Sequence, residues 1–415
     1  MEIRIGEKME VPYANLKRVY NNSKKELDKA VQDCIDNSWF IKGPKVIEFE
    51  NNLKKYCKAP AVGVSSGTSA LLLAYECLNL KPGDKIAMPS FTFISTAEMA
   101  SKLGLEIVWI DCNLDNYTIN TDYLAGIISS TKDIKAIVGV DLFGHTCDWD
   151  TIKKIAGNIP VVQDAAQSFG GTYKNKINGS YNDLTCFSFY PAKNMFCFGD
   201  GGAVVGKQEY INKISMSRDH GRTDKYVHEF LGWNERLDSL QANVLNHMIT
   251  KIDDHNSDRR RVAQIYDTEL NTDTMVKNAS WCNNVYNQYT VLVDNREGVI
   301  NKLKDQGIET GVMWPAGCHA QPVYNSKDNL KNTDYSSLAE AYKDTKTTKG
   351  LDVISLDPSA GKFLNAELKK EVQSGEMTIE ESDNIKLNFA NSQKAAITVS
   401  KTNISKKETA KSIDL

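Results

Sequence analysis

Short apolar runs alternate with amphipathic stretches between residues 58 and 206. The apolar runs are AVGV at 61–64, KIAMPSF at 85–91, EIVWIDC at 106–112, KAIVGVDLFG at 135–144, IPVVQDAAQ at 159–167 and GGAVVG at 201–206. Helix-like stretches such as TSALLLAYECL (68–78) and STAEMASKLG (95–104) separate them. Continuous apolar strands joined by helices predict a mostly parallel sheet covered on both faces. The pattern therefore predicts an α/β fold with a three-layer large domain.

The pattern changes near residue 251. A charged amphipathic helix is predicted over 251–270, followed by a strand at 285–293, a helix at 296–307 and a strand at 308–314. This order predicts a smaller α+β domain. We therefore divide the chain into a large domain at 1–250, a small domain at 251–360 and an atypical tail at 361–415. The tail has too little apolar content to pack, so we expect it to be partly mobile.

Composition adds limits on function. The chain has 415 residues, of which 41% are hydrophobic and 25% charged, and its net charge is −3. Such a chain is typical of soluble globular proteins, and it lacks the basic field expected of a nucleic-acid-binding protein. No apolar run approaches the roughly 18 residues of a membrane span. The charged start MEIRIGEKMEVPY does not resemble a secretory signal.

The cysteines and histidines are scattered along the chain. There are nine cysteines with no C-x-x-C pair, and six histidines with no ligand-like spacing. This usage predicts free thiols in a reducing cytoplasm and no metal site.

Polar residues follow three of the predicted strands. Ser66-Gly67-Thr68-Ser69 follows the first run and Asp164 ends IPVVQD. Lys193 follows the strand-like run LTCFSF at 184–189, within SFYPAKNMFCFGDGG. Each also has a structural interpretation: a helix N-cap, a cap of the next helix, and a surface lysine. Strand ends at one edge of a parallel sheet converge, however, and ligands bind there.

Pyridoxal phosphate (PLP) would account for all three features. Its phosphate needs N–H donors at a helix start, its ring nitrogen needs an acid, and its aldehyde needs a lysine. An aromatic ring on the cofactor face would complete the pocket. Phe91 and Phe93 are candidates, although core packing explains at least one of them. A dinucleotide-binding Rossmann fold is disfavoured, because no G-x-G-x-x-G follows the first strand.

Six blocks together resemble the DegT/DnrJ/StrS family of sugar aminotransferases. They are WFIKGPKVIEFENNLKKYC, VSSGTSAL, MPSFTFISTAE, VVQDAAQSFGGTYKNK, SFYPAKNMFCFGDGGAVV and NERLDSLQANVL. The resemblance covers roughly residues 10 to 325. It implies the aspartate-aminotransferase fold, PLP as cofactor, and a homodimer with active sites shared between subunits.

The same resemblance implies roles for individual residues. Lys193 would form the Schiff base and carry the proton, and Asp164 would pair with the pyridine nitrogen. Gln167 would lie near the ring hydroxyl, and Phe93 would stack on the ring.

The phosphate would be held by residues of both subunits. Gly67, Thr68 and Ser188 would bind it in their own subunit. Asn234, in GWNERLD, would reach the phosphate of the other subunit. Arg236 would pair with a carboxylate or diphosphate of the substrate, or form an interface salt bridge.

The resemblance also suggests a reaction. Glutamate would donate an amino group, which would pass to C3 of a nucleotide-linked keto sugar in surface-polysaccharide synthesis. The blocks look most like UDP-3-keto-2-acetamido-glucuronate aminotransferases. The alternatives are aminotransferases of dTDP-3-keto- or 4-keto-6-deoxyhexoses, or a PLP-binding homologue without transamination. A dehydratase is disfavoured, because such relatives have a histidine where this chain has Lys193.

Two departures from the family pattern concern substrate choice and the C-terminus. MWPAGCHAQP replaces HYPxPLHxQP, so Met313 stands where the family has a histidine bordering the sugar, whereas His319 remains. A methionine hydrogen-bonds a hydroxyl or carboxylate poorly. VISLDPSAGKF only faintly resembles the family's last strand, and the tail beyond about 360 is unlike the family.

Overall fold

In the computed structural model of the chain, the described residues are 10–270, 276–293, 295–324 and, as backbone only, 352–356. The strands are β1 Ala61–Val64, β2 Lys85–Pro89, β3 Glu106–Ile110, β4 Ile134–Val140, β5 Val161–Asp164, β6 Thr172–Tyr173, β7 Lys176–Ile177, β8 Leu184–Ser188, β9 Gly202–Gly206, β10 Cys282–Asn283, β11 Tyr289–Val293, β12 Gly311–Val312 and β13 Asp352–Leu356. The helices are α1 Leu16–Asn22, α2 Lys24–Asp36, α3 Pro44–Cys57, α4 Gly67–Cys77, α5 Ser95–Lys102, α6 Thr121–Ser130, α7 Trp149–Ala156, α8 Gln208–Ser217, α9 Ser239–Met248, α10 Ile252–Glu269 and α11 Arg296–Asp305.

The main sheet has seven strands in the order β1-β9-β8-β5-β4-β2-β3. Strand β9 is antiparallel to both of its neighbours, and the other pairings are parallel. The carboxyl ends of β1, β2, β4, β5 and β8 therefore share one edge, and the start of β9 lies there too. This arrangement confirms the predicted α/β fold with a mostly parallel sheet.

Both faces of the sheet are covered, which explains the unbroken apolar strands. Successive residues of β8 point to opposite faces. Cys186 packs in a core with Leu73 of α4, whereas Phe187 packs in a second core with Phe49 of α3 and Leu245 of α9. Side chains on both faces of β8 are therefore buried, and the strand lacks the alternation of buried and exposed positions that a sheet with one solvated face would show.

A second, smaller core forms around β11 and α11. Residues Val262, Val291 and Val299 pack there, and so does Val11 from the start of the described chain. The N–H of Val11 donates to the carbonyl of Gly307 at 2.8 Å. Helix α10 spans the two cores, because Ile252 belongs to the core beside α9.

The sheet of this smaller unit has the order β11-β13-β12. The strand predicted at 308–314 is shorter in the structure: β12 is Gly311–Val312, and Ile308 forms an isolated bridge with Val11. The domain division at residue 250 stays a prediction. The predicted tail at 361–415 lies outside the described residues.

Candidate active site

Lys193 lies in the turn between β8 and β9, at the edge where the strand ends meet. Its backbone N–H donates to the carbonyl of Tyr190 at 2.8 Å, which closes the turn. The side chain is partly buried. Burial lowers the pKa of its ammonium, while the negative charge of Asp164 acts in the opposite direction. The structure thus brings together the lysine and the aspartate that the sequence singled out.

Asp164 is the last residue of β5 and is only 5% exposed. Its carboxylate accepts hydrogen bonds from the hydroxyl of Thr96 at 2.8 Å and the N–H of Ala166 at 3.1 Å. Burial raises the pKa of this carboxyl, and the two donors and the charge of Lys193 oppose the rise. A buried carboxylate in this position favours a positively charged partner, which the ring nitrogen of PLP would provide.

The glycine turn lies against the end of β8. Ser66 caps α4 by accepting from the N–H of Ser69 at 3.0 Å, and Gly67 is the first helical residue. A Cβ atom on Gly67 would lie 2.6 Å from the Cβ of Ser188, so a larger residue would displace the turn. The hydroxyls of Thr68 and Ser95 lie 2.9 Å apart. Gly67, Thr68 and Ser188 therefore surround a helix N-terminus that can accept an anion.

Gln167 and Phe93 lie at the same edge of the sheet but differ in exposure. Gln167 is buried, and its amide oxygen accepts from the N–H of Phe143 at 2.6 Å. Phe93 is 52% exposed, with its ring centroid 6.3 Å from that of Trp314. An exposed ring is available to stack on a ligand, so the stacking role of Phe93 stays a prediction.

Asn234 and Arg236 lie in a surface segment beside the end of β1. Asn234 is exposed, and its backbone pairs with Asp219. Arg236 forms an ion pair with the carboxylate of Asp219, which is 1% exposed. Lys42 and Arg222 pair with the same carboxylate. Arg236 therefore has a salt bridge within its own chain, while its backbone pairs with Val64.

Met313 shares a cavity with Lys193, whereas His319 lies elsewhere. The cavity has a volume of about 140 Å³, and Arg18 and Arg259 also line it. His319 packs edge-on against Trp109 at 6.4 Å. Burial lowers the pKa of His319, and the charge of Asp111 opposes this shift. These contacts place His319 near the end of β3, and its role in substrate binding stays a prediction.

The sequence patterns did not identify Asp141 as a site residue. It directly follows β4, much as Asp164 stands at the end of β5. It is fully buried and accepts from the N–H of Cys147 at 3.0 Å. The side chains of Gln163, Ser168 and Asn178 also donate to it, at 2.6, 2.8 and 3.1 Å. Burial raises the pKa of Asp141 to about 7. This buried network supports the turn that carries Asp164 and Gln167. The position of an acidic residue directly after an apolar strand is the signal that could have identified Asp141 in the sequence.

Further findings concern the cysteines, the possible metal ligands and the helices of the described residues. All nine cysteines are free thiols. Within the described ranges, no group of three His, Cys, Asp or Glu side chains could hold a metal ion. Across the same ranges, no helix combines the length and apolar character needed to cross a membrane.

The arrangement fits the predicted cofactor. A lysine whose pKa is lowered, a buried carboxylate beside it, and a glycine-lined helix start lie at one edge of the sheet. These groups match the aldehyde, ring nitrogen and phosphate of PLP in turn.

Comparison with known proteins agrees with this geometry. Residues 21–348 match the model of the DegT/DnrJ/EryC1/StrS aminotransferase family. The chain is 35% identical over 323 residues to the UDP-2-acetamido-2-deoxy-3-oxo-D-glucuronate aminotransferase of Pseudomonas aeruginosa, covering 75% of this chain and 88% of the relative. It is 34% identical over 321 residues to the dTDP-3-amino-3,4,6-trideoxy-alpha-D-glucose transaminase of Streptomyces venezuelae, covering 76% and 84%.

A solved structure also matches the fold. The crystal structure of DesV from S. venezuelae, in complex with a ketimine intermediate, superposes with a TM-score of 0.79 at 32% identity. The match covers 86% of this chain and 97% of that one. The predicted fold, the PLP cofactor and the aminotransferase activity are thereby confirmed. The chain belongs to the DegT/DnrJ/EryC1/StrS aminotransferase family.

Proposed function

We propose that the protein transfers an amino group from glutamate to C3 of a UDP-linked 3-keto-2-acetamido-glucuronate sugar, within surface-polysaccharide synthesis in the cytoplasm. The partly buried Lys193 and the buried Asp164 beside it carry the aminotransferase part of the proposal. The sugar part is supported by the P. aeruginosa relative, whose name specifies that substrate. The free thiols of all nine cysteines support the compartment.

The residues of the site would hold PLP in a defined way. The helix N-terminus at Gly67, with Thr68 and Ser188, would bind the phosphate, and Asp164 would face the ring nitrogen. Gln167 would lie near the ring hydroxyl and Phe93 against the ring face. When bound, PLP supplies an electron sink that stabilises negative charge on a carbon attached to nitrogen.

Lys193 would move the protons of the reaction. Burial lowers the pKa of its ammonium, so a larger fraction is the neutral amine that can accept a proton. It would take a proton from the amino-bearing carbon of the donor and return one during amination of the sugar. Because the donor would leave its amino group on the enzyme and depart as 2-oxoglutarate before the sugar reacts, we expect ping-pong kinetics.

A second candidate substrate is a dTDP-linked keto-6-deoxyhexose. The S. venezuelae transaminase is almost as similar to this chain as the P. aeruginosa relative. Met313 beside the Lys193 cavity favours neither sugar by hydrogen bonding, because a thioether is a weak acceptor.

A panel of UDP- and dTDP-linked 3-keto and 4-keto sugars tests the proposal. With glutamate as donor, the UDP-3-keto-glucuronate sugar is expected to give the highest kcat/KM, with 2-oxoglutarate released in equal amount. NMR of the product identifies the carbon that carries the new amine. A preference for a dTDP sugar selects the second candidate, and no turnover with any sugar supports the homologue without transamination.

We also propose a homodimer with shared active sites. Six large apolar side chains form an exposed apolar surface: Phe40, Ile41, Tyr226, Val227, Leu231 and Trp233. The segments that carry them are adjacent, because Ile41 pairs with Asp238 and Lys42 with Asp219. Apolar patches of this kind on a soluble protein commonly mark an interface. Asn234 lies within the surface, as a residue reaching a partner's phosphate would.

Replacing Leu231 with Asp is expected to shift the protein from dimer to monomer. Leu231 is 95% exposed, so the change would leave the fold intact but place a charge in the apolar contact. Light scattering after gel filtration measures the mass. Leu114→Asp is the matched control, because Leu114 is 68% exposed on the loop before α6. If both variants keep the mass of the wild type, the exposed apolar surface is not the interface.

A further inference from the structure

Three buried asparagines surround the turn that carries Lys193. They are Asn194, Asn256 and Asn287, with exposures of 4%, 1% and 7%; we call them the asparagine cluster. They come from three separate parts of the chain, namely the Lys193 turn, helix α10 and the segment before β11. None of them has a role in the proposed function.

Asn194 lies at the centre of the cluster. Its side-chain NH₂ donates to the amide oxygen of Asn256 at 2.7 Å and to the carbonyl of Val285 at 2.9 Å. Its own amide oxygen accepts from the NH₂ of Asn287 at 2.8 Å. The neighbour of Lys193 is therefore fixed by three hydrogen bonds to residues beyond position 250.

Asn287 holds the other flank of the lysine. Its NH₂ also donates to the backbone carbonyl of Ala192, at 3.3 Å. Residues 192 and 194 are thus each tied to Asn287, one through the backbone and one through the side chain. The two ties leave little freedom for the Cα of Lys193 between them.

Asn256 connects the cluster to the turn after β5. Its NH₂ donates to the carbonyl of Phe169 at 3.0 Å. A Cβ on Gly170 would lie 2.4 Å from that nitrogen, so the backbone there approaches as closely as glycine allows. Phe169 lies five residues beyond Asp164, so the cluster also contacts the turn that follows the carboxylate partner of Lys193.

The hydrogen bonds of the asparagine cluster fix the orientation of each side chain, which apolar packing contacts do not do. An amide side chain donates through nitrogen and accepts through oxygen, so each of the three has one orientation that satisfies its partners. A buried donor or acceptor that loses its partner is costly. The network therefore opposes rotation or shift of residues 192–194 more strongly than apolar contacts of equal area would.

We propose that Asn194, Asn256 and Asn287 are positioning residues that fix the backbone on both sides of Lys193 and so hold its amine beside Asp164. This inference rests on the proton-transfer role proposed for Lys193. It assigns to the smaller unit, through α10 and the segment before β11, a direct part in placing the lysine of the larger one.

Asn287→Ala is the variant that tests the proposal. It removes the donors to Ala192 and Asn194 but leaves Lys193 and Asp164 unchanged. A displacement of about 1 Å at a reacting group can cost about 10²-fold in rate, so we expect kcat to fall about 10²-fold while KM changes much less. If Asn287→Ala does not fold, Asn287→Ser retains one donor and is expected to give a smaller decrease.

A second readout does not depend on activity. In cofactor-free protein, peptide mass spectrometry measures how much of Lys193 is modified by an acylating reagent at each pH. The pH of half-maximal modification is the midpoint of this titration. We expect this midpoint to rise in Asn287→Ala toward the roughly 10.4 of an ordinary lysine, because a released turn exposes the amine to water. The charged groups that face the site or line its cavity are the same in both proteins: Asp164, Arg18, His255, Asp258 and Arg259.

Asn243→Ala is the matched control. Asn243 is 5% exposed and donates to the carbonyl of Ala30 at 2.7 Å, so it is a buried amide outside the cluster. It is expected to lower stability without moving kcat or the acylation midpoint of Lys193. If Asn287→Ala and Asn243→Ala behave alike in both readouts, the cluster has only a structural role. Retained activity in a Lys193→Ala variant would instead overturn the proposed role of the lysine itself.

Discussion

Replacing Lys193 with Ala is expected to reduce transamination by about 10⁴-fold or more, since it removes the group that would transfer the protons. The variant is also expected to lose the visible absorbance that PLP has when joined to the lysine. The surroundings of Lys193 in the structure explain why its amine can take part in proton transfer. It is partly buried beside Asp164, and burial lowers the pKa of its ammonium. Steady-state rates with glutamate, together with absorbance spectra of the purified protein, measure both effects.

Two further variants test whether the positive charge of Lys193, or the burial of a lysine in general, explains the loss of activity. Lys193→Arg keeps the positive charge, but a guanidinium does not release its proton and cannot replace the amine. It is expected to be as inactive as Lys193→Ala. Lys153 is another partly buried lysine whose pKa is lowered by burial, yet it donates to the carbonyl of Tyr181 away from the site. Lys153→Ala is expected to remain active. A Lys193→Ala protein with normal spectra and turnover would refute the lysine assignment.

Replacing Asp164 with Asn is expected to slow the reaction by about 100-fold to several thousand-fold. The amide has the same shape but no charge, so it cannot hold a positive ring nitrogen in a site that excludes water. Breaking a buried charge pair costs about 3–5 kcal/mol, and each 1.4 kcal/mol is about tenfold in rate. The glutamate half-reaction, followed by stopped-flow absorbance of the bound cofactor, isolates this effect from sugar binding.

A conservative variant and a remote one complete the test. Asp164→Glu keeps the charge in a longer side chain and is expected to recover part of the rate. Asp111 is a carboxylate whose pKa is also raised by burial, and it accepts from the N–H of Cys112 at 2.7 Å beyond the end of β3. Asp111→Asn is expected to leave the half-reaction unchanged. Equal rates for Asp164→Asn and the wild type would show that the carboxylate has no part in the chemistry.

Met313 stands where the family pattern has a histidine, and its contacts show how a methionine is accommodated there. It lines the cavity beside Lys193 and also packs against the apolar cluster of Val140, Leu142 and Phe143. Its thioether therefore fills an apolar contact, as methionine commonly does. His319, whose role in substrate binding stays a prediction, packs edge-on against Trp109. The two ends of the MWPAGCHAQP motif consequently face different surroundings, a result that spacing in the sequence does not reveal.

The strands and helices of the main sheet, and the groups proposed for the site, could be predicted from the sequence alone. Unbroken apolar runs identified the strands of a sheet covered on both faces, and Ser66-Gly67-Thr68, Asp164 and Lys193 each followed one of them. These signals are local, because strand propensity, helix capping and the cost of burying a charge act within a few residues.

Which distant residues support those groups depends on how the folded chain packs. In the asparagine cluster, Asn194 bonds to residues that are 62 and 93 positions away in the sequence. The carboxylate of Asp219 forms ion pairs with Lys42, Arg222 and Arg236. Val11 packs with Ile308 in the smaller core. An isolated asparagine or arginine in a sequence has many possible partners. Its actual hydrogen bonds are set by the packing of the two cores, and that packing depends on the whole chain at once.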